Sequence, residues 1–423
     1  MIWQQIDGAR ELIMGERAGG VLMQGDLRTA DLSDYTGRVQ CVYLDPPFFT
    51  GEDFSFRMRI GEKGWAEGTQ TLTLPAYTDS RTGGRAAYLQ LLRAALEKAR
   101  ELLSESGALF LHLDSRMSAH ARILCDQVFG ENNFVNEIIW AYQSGGRAKK
   151  HFSRKHYVIL FYAKDRSALY FDIARVAVPR KDNRSNHMRR TVDENGRPCR
   201  TIKAGGKVYT YYDDEPVFPD DVWTDVSHLQ QKDPQRTGYD TQKPLALLNR
   251  IVRCCTRKGD IVADLFCGSG TTLVAAAENE CRYLGVDLSA HAISVCRKRL
   301  LDTTLEVRTP FARTAGTLEA ELLPGIGYYT VELQGFAPGW VLPEETALQP
   351  KGLQIAGLDA IDQWSAGFLR DGAYKAYVSC ARRKQTPALP QSLELPLLRG
   401  RVAISLVDVL GNRTLWVPAE DRA

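Results

Sequence analysis

Short apolar runs alternate with amphipathic stretches over most of the chain. Short runs rich in Val, Ile, Leu and aromatic residues are typical of buried strands, and apolar residues three or four positions apart are typical of one helix face. The predicted strands are 39–44, 108–114, 137–140, 157–162, 261–264 and 282–287, and the predicted helices are 88–103, 118–129, 244–255 and 290–300. Strands that alternate with helices predict an α/β fold with a parallel sheet.

The alternation is interrupted twice. Residues 165–235 follow neither pattern. From about residue 308 the chain has predicted strands at 327–333, 373–380 and 402–410, glycines and prolines between them, and the hairpin-turn pair Gly411-Asn412. Residues 308–423 are therefore predicted to form a separate, mostly β domain.

Composition narrows the class of protein. A chain of 423 residues is too long for one ordinary core, and 44% hydrophobic with 25% charged residues predicts a soluble globular protein of two or three domains. No apolar run approaches the ~18 residues of a membrane span, and the start has no secretion signal. A helix over residues 9–14 is expected in this N-terminal part of the chain. Nine scattered cysteines without a C-x-x-C pair favour reduced thiols, a cytoplasmic location and no metal site.

The segment 45–48, Asp-Pro-Pro-Phe, follows the predicted strand 39–44. It should lie at the carboxyl edge of the sheet, where open α/β folds bind ligands. The two prolines stiffen the turn, so a carbonyl of Asp45 or Pro46 can face a substrate. A carboxylate, a carbonyl and an aromatic ring this close suit a planar group bearing an NH2. A strand that simply ends in a rigid turn is the competing interpretation, because short motifs often match by chance.

A second motif runs from Asp264 to Thr272 and joins a strand to a helix through Gly-Ser-Gly. The next strand ends in Asp287, roughly 20 residues past the glycines, which is the spacing of an acid that binds ribose hydroxyls. The turn lacks the full Gly-x-Gly-x-x-Gly pattern, so NAD is not the natural inference.

Together these segments resemble the β class of amino-methylating DNA methyltransferases, which use S-adenosylmethionine (SAM). The class includes the modification (Mod) subunits of type III restriction systems. Asp-Pro-Pro-Phe is similar to its catalytic motif, 264–272 to its cofactor motif, and Gly238–Pro244 to a further signature. Thr50–Phe54 also resembles Mod subunits. The order of the motifs marks the β class, and the match runs from about Val21 to Leu300.

The resemblance implies a Rossmann-like, doubly wound, mostly parallel sheet of seven strands, with SAM as cofactor and double-stranded DNA as substrate. It also implies a division of the chain: 1–164 as the catalytic half, 165–235 as a target-recognition insert and 236–307 as the cofactor-binding half. The predicted C-terminal β-rich domain, 308–423, lies outside the resemblance. A homodimer and a cognate restriction subunit are further partners that it allows.

The implied catalytic residues are Asp45, Pro46, Pro47 and Phe48. The amino group of adenine or cytosine is a poor nucleophile because its lone pair is delocalised into the ring. The Asp45 carboxylate and the Pro46 carbonyl would accept both N–H bonds and free that lone pair. The Phe48 ring would stack on the base once it has left the helix.

The implied cofactor site is larger. Asp287 would hold the ribose, the helix start at Thr271-Thr272 would bind the cofactor carboxylate together with Lys243, and Asp26 would lie beside the adenine. A strand-to-loop turn is an equal alternative for Asp26. The full set is Asp26, Gln242, Lys243, Pro244, Asp264, Phe266, Gly268, Ser269, Gly270, Thr271, Thr272 and Asp287.

Two basic segments are candidates for DNA contacts. Arg147, Lys149 and Lys150 lie in a glycine-containing loop, and between residues 175 and 207 ten basic residues stand against three acidic ones, Arg189 and Arg190 among them. Cations of this kind suit phosphate and base-edge contacts. A solvated basic surface is the alternative for both. The irregular segment 50–87 is expected to be a loop that closes over the target base or the DNA backbone, with an ordinary surface loop as its alternative.

The chain departs from the commoner family pattern in two places. Phe48 replaces the usual Tyr, and Phe49 stands where Mod subunits often carry Asn, which argues against close kinship with them. Asp before Pro-Pro favours adenine N6 over cytosine N4. The alternatives are a cytosine-N4 enzyme and a non-catalytic DNA-binding module with this fold. For residues 308–423 the open roles are partner docking, dimerisation, added DNA surface and simple stabilisation.

Overall fold

The structure, a computed structural model, describes residues 2–8, 10–49, 53–78, 84–142, 147–179, 188–230, 233–239, 241–342 and 346–419. Its α-helices are α1 Gly61–Glu67, α2 Gly84–Leu102, α3 Ser118–Phe129, α4 Leu245–Cys255, α5 Thr271–Glu278 and α6 Ala290–Arg299.

The strands are β1 Trp3–Ile6, β2 Arg10–Ile13, β3 Arg17–Gln24, β4 Val39–Leu44, β5 Asp53–Arg59, β6 Thr71–Thr78, β7 Leu103–Leu113, β8 Phe134–Ala141, β9 His156–Ala163, β10 Arg189–Val192, β11 Pro198–Ala204, β12 Lys207–Tyr212, β13 Val222–Trp223, β14 Ile261–Asp264, β15 Arg282–Asp287, β16 Thr303–Arg308, β17 Thr317–Pro324, β18 Tyr328–Ala337, β19 Ala347–Gln349, β20 Ile361–Arg370, β21 Ala373–Ala381, β22 Ser392–Pro396, β23 Arg401–Asp408 and β24 Arg413–Pro418. The strands and helices predicted for the α/β part are all present, with ends shifted by a few residues.

Seven strands form the centre of the molecule, in the order β3-β15-β14-β4-β7-β9-β8. The pairs from β3 to β7 are parallel, whereas β9 runs antiparallel to both of its neighbours. A sheet with one reversed strand agrees with the mostly parallel, seven-stranded arrangement expected from the sequence, and that prediction is confirmed.

Helices cover both faces of this sheet, which makes it doubly wound. Cys41 and Tyr43 of β4 point into one core with the apolar residues of α4, α5 and α6. Val42 and Leu44 point into the opposite core with α2 and α3. Every residue of β4 is buried, and all but Gln40 are apolar or aromatic, so the strand does not alternate, as expected for a parallel strand covered on both faces.

The sheet does not stop at the expected domain boundary near residue 308. Next to β3 it continues as β16-β2-β21-β20-β23-β24-β1. Strand β2 makes this continuation possible, because Ile13 pairs with Leu305 of β16 on one side and with Ala376 of β21 on the other. The helix expected over residues 9–14 is therefore wrong: four of these residues are drawn into the sheet by their partners on both sides.

A buried ionic cluster joins the N-terminal, cofactor-binding and C-terminal parts of the chain. The carboxylate of Glu11 accepts hydrogen bonds from Arg297 at 2.8 and 3.1 Å and from Arg413 at 2.9 Å. The side chains of Glu11 and Arg297 are fully buried. Burial opposes ionisation of Glu11, but the two guanidinium groups outweigh it and lower the pKa to about 2.

Smaller sheets lie beside the central one. In the insert, β10-β11-β12 form an antiparallel sheet. Residues 50–87 are not the irregular loop expected from the sequence, because the described part contains α1 and a β5–β6 hairpin extended by β19. Alternate residues of that hairpin, such as Phe56 and Leu72, are buried in a core that also contains Tyr239. No helix in the described ranges has both the length and the apolar character needed to cross a membrane.

Candidate active site

A cavity of about 460 Å³ opens at the carboxyl ends of β3, β4, β14 and β15. Parallel strands end together at one edge of a sheet, so residues far apart in the sequence meet there. The predicted site residues that line the cavity are Asp26, Asp45, Pro47, Gln242, Lys243, Asp264, Phe266, Gly268, Ser269, Thr271, Thr272 and Asp287. Four others, Pro46, Phe48, Pro244 and Gly270, lie next to lining residues in the chain but are not part of the lining.

Asp45 and Lys243 form an ion pair in this cavity. The Lys243 ammonium donates a hydrogen bond to Oδ2 of Asp45 and a second one, of 3.3 Å, to the Thr241 carbonyl. The same ammonium lies 5.0 Å from the centre of the Phe48 ring. Lys243 was expected to bind a cofactor carboxylate, and that role stays a prediction, since its partner here is Asp45.

The second carboxylate oxygen of Asp45, Oδ1, is buried and has no hydrogen-bond partner among the described residues. Burial raises the pKa of Asp45, and the positive charge of Lys243 partly offsets this effect. An acceptor atom that is held in place, shielded from water and unsatisfied is ready to receive an N–H group. The geometry therefore agrees with the acceptor role expected for this carboxylate.

Asp264 lies deeper, with a side chain that is almost fully buried. Its Oδ2 accepts the Thr272 hydroxyl at 2.6 Å and its Oδ1 accepts the Phe266 N–H at 3.0 Å. These bonds tie the end of β14 to the first turn of α5. Burial nevertheless dominates and raises the pKa of Asp264 to about 7, with the negative charges of Asp45 and Asp287 adding to the effect.

Asp287 ends β15 on the other side of the glycine turn. Its Oδ2 accepts the Gly268 N–H at 2.8 Å and its Oδ1 accepts the Ser289 N–H at 2.9 Å. An ionised carboxylate has about four acceptor positions, so two remain for other donors. Burial raises the pKa of Asp287, and the two backbone donors partly counteract it.

The two glycines of the turn have different roles. Gly270 has φ +76° at the start of α5, and a Cβ there would lie 2.6 Å from Sγ of Cys296, so glycine allows α5 to pack against α6. Gly268 has φ +49° and faces the ring of Tyr239, which also lines the cavity. Close packing of the protein itself therefore requires Gly270.

The remaining cofactor candidates differ in how much of their polar surface is already used. The amide of buried Gln242 is bonded to Thr237 and to the Gln235 carbonyl, so it organises the loop before α4. Asp26 forms an ion pair with Arg28 at the cavity rim, and hydrogen bonding from that guanidinium lowers the pKa of Asp26. Sequence reasoning did not single out Arg28.

Aromatic rings pack around Phe48. Its ring centre lies 5.9 Å from that of His112 and 5.5 Å from that of Tyr157, which stacks on Tyr142 at 5.3 Å. Nδ1 of the buried His112 is 2.7 Å from the Tyr43 hydroxyl, while Nε2 has no partner among the described residues. Burial lowers the pKa of His112 well below its ordinary value, so the ring is neutral.

Sequence reasoning missed most of this aromatic group. His112, Tyr142 and Tyr157 carry no motif. The only available signal was their position at strand ends. Tyr239, which lines the cavity, does lie within the 238–244 signature and could have been included.

The candidate DNA-binding residues are on the surface. Arg147, Lys149 and Lys150 are exposed in the loop between β8 and β9, and Arg189 and Arg190 are exposed on β10. Other cations of the insert serve the protein itself: Arg200, which is buried, pairs with Asp213 at 2.8 Å, and Arg197 pairs with Asp214 at 2.6 Å. Arg180, Lys181 and Arg184 lie outside the described residues. Within the described ranges, no cluster of three or more His, Cys, Asp or Glu side chains suits a metal ion.

A family model described as DNA methylase matches residues 39–298, more than half of the chain. Among curated relatives, the type II methyltransferase M.EcaI of Enterobacter cloacae is 27% identical over 309 residues, covering 62% of this chain and 64% of that protein. The Mod subunit of the type III restriction-modification enzyme EcoPI, from Escherichia phage P1, is 24% identical. The match covers 57% of this chain and 52% of that subunit.

A third relative is the DNA adenine methyltransferase YhdJ of Escherichia coli K12, which is 24% identical over 62% of this chain and 76% of that protein. Among solved structures, the cytosine-N4-specific PvuII DNA methyltransferase matches with a TM-score of 0.43 and 12% identity, over 68% of this chain and 88% of that one. The chain thus spans 64% and 52% of the first two relatives' lengths.

Proposed function

The chain belongs to the DNA methylase family whose model matches residues 39–298, and from this premise we propose that it transfers a methyl group from SAM to the N6 amino group of adenine in double-stranded DNA. The observation that carries the proposal is the cavity shared by Asp45, Asp264 and Asp287. Asp45 and Asp264 come from the two motifs, which are more than two hundred positions apart in the sequence, and Asp287 ends the strand that follows the second motif.

The residues around the cavity fit SAM. Asp287 has acceptor positions left for ribose hydroxyls, and the N–H groups at the start of α5 suit a carboxylate. The half-buried Phe266 ring and the apolar Leu288 side chain line the same space. When bound, SAM supplies a methyl group on a positively charged sulfur, which is already electrophilic. The protein therefore has to position the acceptor nitrogen and activate it.

Asp45 is the group that would activate the nitrogen. Its unsatisfied Oδ1 accepts one N–H of the base, and the Pro46 carbonyl accepts the other. As these bonds shorten, the lone pair of the amine leaves the ring system and forms the new N–C bond. Bound SAM would supply the methyl group and keep the electron pair of its C–S bond on sulfur, and Asp45 or water would take the proton that the nitrogen loses. Burial raises the pKa of Asp45, and the Lys243 ammonium favours the ionised carboxylate by partly offsetting that rise.

Phe48 would hold the base from its face. The ring is supported from behind by His112 and Tyr157, so it presents a fixed surface. A base must leave the helix to reach such a surface, since Asp45 lies inside a cavity. Arg147, Lys149, Lys150, Arg189 and Arg190 would bind the DNA backbone or base edges.

Adenine is proposed over cytosine because an Asp precedes Pro-Pro at position 45. The name of the relative YhdJ specifies adenine, whereas that of the PvuII enzyme specifies cytosine N4. Domain boundaries at 165, 236 and 308 belong to the same proposal, as do a homodimer and a cognate restriction subunit. The EcoPI relative is itself part of a restriction-modification enzyme.

The experiment that tests the proposal is expression in cells that lack DNA methylation, followed by mass spectrometry of the genomic nucleosides and modification-sensitive sequencing. N6-methyladenine at one recurring sequence is the expected result. N4-methylcytosine would contradict the choice of base and keep the reaction class. If the DNA contained neither modified base although the purified protein bound SAM and DNA, methyl transfer would be contradicted.

A further inference from the structure

The side chain of Phe152 is 98% exposed, more than any other aromatic side chain in the part of the chain that the structure describes. A single exposed apolar residue is common on protein surfaces and carries no inference alone. The position of Phe152 in the fold, however, does support an inference. It lies in the loop between β8 and β9, in which Lys149, Lys150 and Arg154 are also exposed.

The described part of this loop holds Phe152 at a turn. The Ala148 N–H donates to Oγ of Ser153 at 2.8 Å, which fixes the residues on either side of the ring. Below the turn, the Tyr142 N–H donates to the Lys155 carbonyl at 3.0 Å and continues the pairing of β8 with β9. Phe152 thus lies in the loop of the β8–β9 hairpin, which the sheet anchors.

The hairpin begins beside the candidate base site. Strand β8 runs parallel to β4, so its carboxyl end lies at the same edge of the sheet as Asp45. Tyr142 and Tyr157, at the foot of the hairpin, stack on each other, and Tyr157 contacts Phe48. A continuous set of rings therefore connects the foot of the hairpin to the surface proposed to hold the flipped base.

We propose that Phe152 inserts into the DNA base stack and fills the space that the target base leaves when it rotates towards Asp45 and Phe48. This inference rests on the proposed function. A phenyl ring replaces lost base stacking, as apolar side chains do when they enter a base step. The surrounding cations bind the phosphates on either side. This role explains why Phe152 is exposed in the absence of DNA and why cations lie around it.

The test compares Phe152→Ala with wild type on two duplexes that contain the sequence methylated by the wild-type enzyme. One is fully paired, and the other has an abasic site opposite the target base. Loss of the wedge should lower the single-turnover rate on the paired duplex by about tenfold or more. On the second duplex, where the base pair is already broken, the variant should be within about threefold of wild type.

Two further variants make the result specific. Phe152→Trp, which keeps a ring that can stack, should retain most of the activity. Ile326→Ala removes a side chain that is 100% exposed in the β17–β18 turn and should leave the rates unchanged. Fluorescence of 2-aminopurine at the target position should rise when wild type binds and stay low with Phe152→Ala.

A Phe152→Ala enzyme as fast as wild type on the paired duplex would overturn the inference. An equal loss on both duplexes would also overturn it, because the defect would then lie outside base extrusion. If the wild type methylates no sequence in genomic DNA while binding DNA and SAM, the proposed function fails before any duplex is designed, and this outcome is distinct from the other two.

Discussion

At the scale of single residues, the Asp45–Lys243 pair governs the candidate chemistry. A buried carboxylate prefers to be protonated, and a protonated Asp45 is a weaker acceptor for the N–H of the base and cannot take up its proton. The nearby ammonium opposes this effect of burial. Lys243 thus links the 238–244 signature to the catalytic motif, a connection that the sequence alone could not provide.

Lys243→Met should therefore shift the acid side of the pH–rate profile. The pKa of Asp45 is already raised, so activity falls as the pH drops through that raised value. Without the ammonium the pKa rises further, and activity should be lost at a higher pH than in wild type while recovering in alkaline buffer. Single-turnover rates across the pH range measure this shift.

The matched control is Lys258→Met, because Lys258 is an exposed lysine that pairs with Glu280 far from the cavity. Its acid limb should coincide with that of wild type. An unshifted acid limb in Lys243→Met would show that the ion pair does not set the protonation of Asp45.

Asp264 gives a prediction about stability. The pKa of Asp264 rises from 3.8 in the unfolded chain to about 7 in the folded one. Between these two pH values, the native state therefore holds a proton that the unfolded chain has released. The contribution of this group to stability is therefore fully present below pH 3.8 and disappears as the pH rises to about 7. Asp264→Asn cannot titrate and keeps an oxygen acceptor.

The melting temperature of Asp264→Asn relative to wild type, measured without cofactor, should accordingly be higher at pH 8 than at pH 5. Thermal unfolding of both proteins in matched buffers provides the comparison, and subtraction removes the other titrating groups. A difference that stays constant between these two pH values would contradict the raised pKa.

At the scale of elements, the sequence was informative wherever local pattern and tertiary structure agree. The strands 39–44 and 261–264 are mostly apolar because both of their faces are covered. The Gly-Ser-Gly turn is a distinctive local pattern between a strand and a helix. Residues 10–13 and 53–78 were misread for the opposite reason. Their conformation comes from strands distant in the chain, β16 and β21 for the first and β19 in part for the second, and no local pattern encodes those partners.

The insert sheet gives the prediction at this scale. Arg189 and Arg190 point to opposite faces of the exposed strand β10, since successive side chains alternate along a strand. If both bind phosphates, replacing them with Ala should weaken DNA binding and lower the slope of log affinity against log salt by ~0.9 for each phosphate that is no longer neutralised. Titrations at several salt concentrations measure the slope, and SAM affinity should not change.

A pair that reads bases would behave differently: the salt slope would change little and the preferred sequence would become less strict. Arg282→Ala, an exposed arginine at the start of β15 and at the opposite edge from Asp45, is the control. If the double variant kept the wild-type DNA affinity, salt slope and sequence preference, these two arginines would not contact DNA and would simply be solvated.

At the scale of the whole molecule, the C-terminal β-rich region is continuous with the catalytic sheet. Glu11 lies at the junction and carries a buried charge that Arg297 and Arg413 neutralise. Removing one partner from a buried cluster leaves uncompensated charge, which typically costs ~3–5 kcal/mol. The sequence predicts a domain boundary at 308 because composition changes there. That boundary stays a prediction, and composition does not report the strand pairing that continues the sheet across this position.

Glu11→Ala should consequently lower the free energy of unfolding by ~3–5 kcal/mol, measured by denaturant titration. Asp7→Ala is the control, because Asp7 pairs with Arg313 in an exposed ion pair, and such pairs contribute little to stability. If Glu11→Ala cost no more than Asp7→Ala, the cluster would not be what holds the two regions together.

The proposed mechanism requires that Asp45 activates the amine while the Asp264–Asp287 side holds the cofactor. The decisive test measures methylation and SAM affinity on the same preparation of Asp45→Ala. Methylation should fall far more than tenfold while the SAM dissociation constant changes little. Methylation within about tenfold of wild type, a difference of ~1.4 kcal/mol in the barrier, would contradict the role assigned to Asp45.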